Sequence, residues 1–75
     1  MPKSDNDIRK AVLRELEWDP HTSDAVIDVE VAGGVVTLVG TVSGWAKKVA
    51  AQEAAHRVRG VLDVANDLQT VVQGS

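Results

Sequence analysis

The groups in this 75-residue chain that could move protons or hold a metal are two histidines and eleven acids. His21 stands between Asp19 and Asp24, close enough in sequence for a weak metal site, but Asp19 to Asp24 reads more simply as a solvated polar loop. His56 is far from His21, and no H-E-x-x-H pair exists. It projects outward from a helical stretch and reads as a surface histidine. Glu15, Glu17 and Asp19 gather at the end of an apolar-periodic run and read as a solvated helix end. The chain has no cysteine, so thiolate ligands and disulfides are excluded. No hydroxyl nucleophile has a base at readable spacing. Gly33, Gly34 and Gly40 do not fit Gly-x-Gly-x-x-Gly, and no Walker P-loop occurs. These residues predict no catalytic site, no metal, no cofactor and no enzyme.

The residues with binding chemistry lie elsewhere. The segment GTVSGWAKK, Gly40 to Lys48, holds one of only two aromatic residues, at the joint between a strand-like and a helix-like run. Trp45, Lys47, Lys48 and Val49 together suit a membrane interface, where an indole sits among headgroups and the cations attract anionic lipid. The alternative is that Trp45 folds back over the end of the preceding strand and covers the core. One tryptophan and two lysines bind lipid only weakly, so useful affinity requires several copies or a tether. Trp18, just before Pro20, is expected to lid the core rather than to contact a ligand.

The elements that must position these residues follow from patterning. Ser4 can cap a helix whose first turn carries Asp5 and Asp7, and Ile8, Val12 and Leu16 form one apolar stripe that Leu13 broadens. The stripe ends at Trp18-Asp19-Pro20, because the residue before proline resists helical geometry. Ile27, Val29 and Val31 alternate with Asp28 and Glu30 as a strand. Gly33-Gly34 supplies a two-residue hairpin turn into a second strand, Val35 to Val42. That turn pairs Val31 with Val36, Val29 with Leu38 and Ile27 with Gly40, all on the apolar face. Gly40 is expected to leave room for a helix to approach closely. Ser43 is expected to cap a second helix running to about Arg59, with Ala46, Ala50, Ala51, Ala54, Ala55 and Val58 on its buried side. The same wheel turns Trp45, Val49, Gln52 and His56 away from the alanines. Gly60 ends this helix. Val64 to Val72 forms the third strand, with Val64, Leu68 and Val72 inward, parallel to the second by a right-handed crossover.

The predicted fold is therefore α+β, in the order α-β-β-α-β, with a mixed three-stranded sheet and two helices packed on one face. One domain over residues 1–75, with an ordered core of about 5–72, is expected. The other sheet face carries Val35, Val39 and Val71 among Thr37, Thr41, Asp28, Glu30, Asp67 and Gln69. Such a face can be solvated, or serve for self-association or a partner domain. A net charge of −3 argues against a general nucleic-acid binder. Residues 1–17 carry charges throughout and lack a secretory signal's apolar segment. No apolar run approaches the ~18 residues of a spanning helix.

The order IDVEVAGGVVTLVGTV (27–42), an alanine-rich helix, VRGV (58–61) and VANDL (64–68), preceded by DNDIRKAVLREL (5–16), resembles the BON domain over nearly the whole chain. Gly-Gly at 33–34 stands where the family often has Asn-Gly, and Gly60 matches a glycine of the family pattern. The resemblance implies a non-enzymatic module that binds phospholipid surfaces, with roles in envelope or osmotic stress. The partners expected are an anionic phospholipid surface, further copies of the chain or neighbouring BON domains, and nucleic acid is not expected. With no signal-like segment, two locations are expected: the cytoplasm, or a module cut from a periplasmic or membrane-attached protein.

Overall fold

The computed structural model describes residues 4–23 and 25–71. Helix α1 spans Asp5–Trp18, strands β1 and β2 span Val26–Ala32 and Val35–Val42, helix α2 spans Trp45–His56, and strand β3 spans Asp63–Thr70. The sheet order is β1-β2-β3. β1 and β2 are antiparallel, and β2 and β3 are parallel.

Helix α1 starts as its sequence dictates. The Ser4 hydroxyl accepts the Asp7 backbone N–H at 3.1 Å, and Asp5 and Asp7 stand in the first turn. Ile8, Val12 and Leu16 are buried against the sheet. Asp5 also has a task remote from its own helix. Its carboxylate accepts the backbone N–H groups of Gly33 and Gly34 at 3.0 and 3.2 Å. The start of α1 is thereby fastened to the tip of the β1–β2 hairpin. Further along, the Arg9 Nε donates to the Val29 carbonyl of edge strand β1 at 2.9 Å. A side chain that satisfies an edge-strand carbonyl discourages pairing with a foreign strand.

The hairpin register is the one that turn and alternation predict: Val31 with Val36, Val29 with Leu38, Ile27 with Gly40. Val29, Val36, Leu38, Val42 and Leu68 form the sheet side of the core, and Ile8, Val12 and Leu16 of α1 meet them with Ala51, Ala54, Ala55 and Val58.

Five local expectations are corrected. Gly40 does not make room for a helix. It has φ +145°, and a Cβ there would lie 2.3 Å from the Val26 carbonyl oxygen. What the missing side chain admits is the backbone of β1. Ser43 does not cap α2, because the N-cap is Gly44, in extended geometry and without a side-chain capping bond. Helix α2 stops at His56, earlier than Arg59, where the Arg57 N–H is shared between the Glu53 and Ala54 carbonyls. Gly60, at φ +101°, shapes the turn beyond it. Ala46 is exposed, because the buried arc centres on Ala51, Ala54, Ala55 and Val58, and Ala46 lies more than about 100° round the wheel. Strand β3 covers Asp63–Thr70, so Val71 follows it, and Val72 lies outside the described residues.

Candidate functional site

Trp45 opens α2 and is 68% exposed. It is not folded over the end of β2. One turn on, the Lys48 ammonium lies 5.2 Å from the centroid of the Trp45 ring. Val49, on the same face at i+4, is also exposed. The first turn of α2 contains no acid. An aromatic plane, a cation over it and an apolar neighbour therefore share one solvent-facing turn.

Lys47 does not join them. It lies about 160° round the helix from Trp45. It lines a shallow groove with Ala25, Val26, Thr41, Val42, Ser43 and Val71, at the end of the strands. The four residues grouped in sequence thus divide into a set of three and a fourth on another side.

The position of this turn on the sheet is held by Asn66 of β3. Its amide donates to the Lys48 backbone carbonyl at 3.0 Å and to the Gln52 Oε1 at 3.2 Å, and its Oδ1 accepts the Leu68 N–H at 3.2 Å. An asparagine on the inner face of a strand, among valines and a leucine, was the only signal of this tie in the sequence.

Trp18 is 80% exposed and does not lid the core. The loop after α1 closes that end instead. Thr22 is buried, and its hydroxyl donates to the Leu16 carbonyl at 2.7 Å. Trp18 is left beside a groove lined by Ala11, Arg14, Glu15, Arg57, Val58 and Arg59. The same loop organises Asp19. Its carboxylate accepts the His21 backbone N–H at 2.8 Å, lies 3.1 Å from the His21 Nδ1 and pairs with Arg57 at 3.6 Å. The His21 backbone N–H, aided by the His21 ring and Arg57, holds the Asp19 carboxyl below the usual 3.8, against the opposing effect of burial.

The groups singled out for chemistry do not converge. His21 meets Asp19 alone among the described residues, and Asp24 lies outside them. Among the described residues no cluster of three histidines or acids could hold a metal ion. His56 is exposed on α2.

Among the described residues no element covers the sheet face away from the helices. Its residues stand in rows across the three strands: Ala32–Val35–Asp63, Glu30–Thr37–Ala65, Asp28–Val39–Asp67 and Val26–Thr41–Gln69. Val35, Val39 and Val71 are partly exposed, and Val26, which the pattern did not single out, is 79% exposed. The strands carry four acids and no cation, whereas α2 and the turn after it carry four cations, Lys47, Lys48, Arg57 and Arg59, and one acid, Glu53.

This arrangement can be set beside known proteins. The BON domain family matches residues 4–72. The chain belongs to the BON domain family. The comparison with curated proteins gives no match. Membership is consistent with a non-enzymatic module. Within this BON domain the glycines at 33, 34, 40 and 60 all adopt positive φ, and they serve the hairpin, the strand pairing and the turn into β3. Among the described residues no helix is long and apolar enough to cross a membrane.

Proposed function

We propose that this BON domain is a non-catalytic module that docks peripherally on anionic phospholipid surfaces, in the service of envelope or osmotic stress. The exposed Trp45 indole under the Lys48 ammonium carries the reading. An indole with solvent on most of its surface gains by moving into the headgroup layer, where ring and N–H are both accommodated. Lys48 already occupies a face of that ring, so the site favours a phosphate over the quaternary ammonium of choline, which would compete for the same face. Val49 adds apolar area on the same side. The charge distribution orients the domain: Lys48 faces the lipid beside Trp45, and the acidic open sheet face is repelled to the far side. Lys47 contributes at most to this long-range attraction.

A Trp18→Phe chain leaves Trp45 as sole emitter. Titrated at low salt with vesicles of phosphatidylglycerol in phosphatidylcholine, it should shift its emission to the blue, and the shift should vanish with pure phosphatidylcholine. Trp45→Ala should no longer sediment with the anionic vesicles, with its stability within about 0.5 kcal/mol of the parent. An emission maximum indifferent to anionic lipid would sink the reading.

A further inference from the structure

The open sheet face has an order that its composition alone does not convey. Its acids lie only on the two edge strands: Asp28 and Glu30 on β1, Asp63 and Asp67 on β3. The central strand presents Val35, Thr37, Val39 and Thr41, all uncharged. The result is a neutral, partly apolar floor between two acidic rails. Adjacent strands are about 4.8 Å apart, so the rails stand about 10 Å from each other. The floor runs the eight residues of β2, or about 26 Å. A single α-helix is about 10 Å across, and about 18 residues of it cover that length.

We infer that this face is a docking site for one amphipathic protein helix whose apolar stripe is bordered on both sides by lysine or arginine. The stripe would lie on Val35 and Val39, with Val26 and Val71 at one end, and the flanking cations would reach Glu30 and Asp28 on one side and Asp63 and Asp67 on the other. Long basic side chains can cover apolar surface with their stems while their heads meet the rails. Lys47 lines the Val26–Thr41 end of this face, beyond the last acid.

Other occupants fit worse. A second copy packed sheet to sheet would set acids against acids. A second copy offering α2 would bring Trp45 and Val49 with Lys48 on one flank but exposed Glu53 on the other, against a rail. An anionic membrane or a nucleic acid would be repelled by the four acids. The area is small for a stable complex, so the affinity belongs to the micromolar class of transient contacts. This surface is opposite in charge to the proposed lipid site and does not depend on it.

The test is a titration of the isotope-labelled full chain by NMR. The probe is a capped peptide of about 18 residues with a leucine stripe flanked by lysines on both sides. A matched peptide with glutamate for lysine is the control. Amide shifts should fall on β2 and the outward positions of β1 and β3, and only the lysine peptide should produce them. Asp28→Lys with Asp67→Lys should weaken binding on the order of tenfold or more. Glu17→Lys with Glu53→Lys changes the net charge equally but lies off the rails, and it should leave binding unchanged. All four positions are exposed, and far-UV circular dichroism checks that each variant is folded. The inference fails if the glutamate peptide binds equally, if the shifts map to α2, or if the two double variants lose affinity alike. A sedimentation mass that climbs with concentration and is abolished by Val39→Lys would give the face to a second copy and overturn it as well.

Discussion

The side-chain amide of Asn66 donates to the backbone carbonyl of Lys48 at 3.0 Å, so the residue that holds a cation over Trp45 is itself tied to β3. The tie spans strand and helix and is reinforced by Gln52 and by the Leu68 N–H. Asn66→Ala removes all three bonds from a partly buried site. It should cost about 1–2 kcal/mol in urea unfolding. Amide exchange at Lys48 and Gln52 should accelerate more than exchange in α1, because the loss is local to the α2–β3 contact. Uniform acceleration across both helices would mean that Asn66 supports the whole fold and not this turn.

Two glycines of the hairpin should respond unequally to alanine. A Cβ at Gly40 meets the Val26 carbonyl oxygen at 2.3 Å, on backbone that cannot move without breaking the β1–β2 pairing. A Cβ at Gly33 meets nothing within 4 Å, and only its φ of +58° is unfavourable. Gly33→Ala should therefore cost about 1–2 kcal/mol, and Gly40→Ala clearly more, about 3 kcal/mol or beyond. Equal losses in chemical denaturation would show that conformation, and not the approach of β1, sets the demand at Gly40.

How much of the fold is legible in the sequence depends on how far apart the cooperating residues lie. Helix α1 and the hairpin were legible because their information is local. Ser4 caps its own turn, Ile8, Val12 and Leu16 repeat at helical spacing, and Gly33-Gly34 sets a register that alternation confirms. Gly40 signals a close approach in the sequence, but a glycine in a strand says that something comes close and not what. Ser43 was the better cap by residue type, yet the chain enters α2 one residue later. Trp18 stays outside because Thr22 closes that core end, through a hydroxyl bond that no periodicity reveals. The Asp5 bonds to Gly33 and Gly34 and the Asn66 bond to Lys48 join distant positions, and no local pattern encodes them. At the candidate site, the outward set of Trp45 and Val49 followed from the helical wheel. The separation of Lys47 from Trp45 follows from the same wheel, because two residues turn a side chain about 160° away.

Asp19 should make stability depend on pH at the acid end. Its folded pKa lies below 3.8, chiefly through the His21 backbone N–H. A carboxyl depressed on folding binds its proton more readily in the unfolded chain, so unfolding takes up a proton as the pH falls. The stabilisation is complete above the unfolded value near 3.8 and is lost as the pH drops through the lower folded value. Asp19→Asn should therefore be less stable than the parent at about pH 7, and the gap should narrow toward about pH 2.5. Urea midpoints at the two pH values measure it. A gap that stays constant would assign the loss to geometry alone.

The two tryptophans offer the last test, because both are exposed but in different electrostatic company. Trp45 has the Lys48 ammonium 5.2 Å from its ring centroid, and Trp18 borders a groove with Arg14, Arg57 and Arg59. In the free protein both should emit near the wavelength of indole in water, since neither is buried. Iodide, an anionic quencher, should be concentrated by the cation beside each ring. In the Trp18→Phe chain, Lys48→Glu should reduce iodide quenching of Trp45 by roughly twofold or more at low salt, while neutral acrylamide quenches both versions alike. Added salt should erase the difference, since the attraction is screened over about 10 Å at 0.1 M. If iodide and acrylamide instead change together, Lys48 acts on Trp45 by covering it. The phosphate preference argued for this turn of α2 would then lose its electrostatic basis.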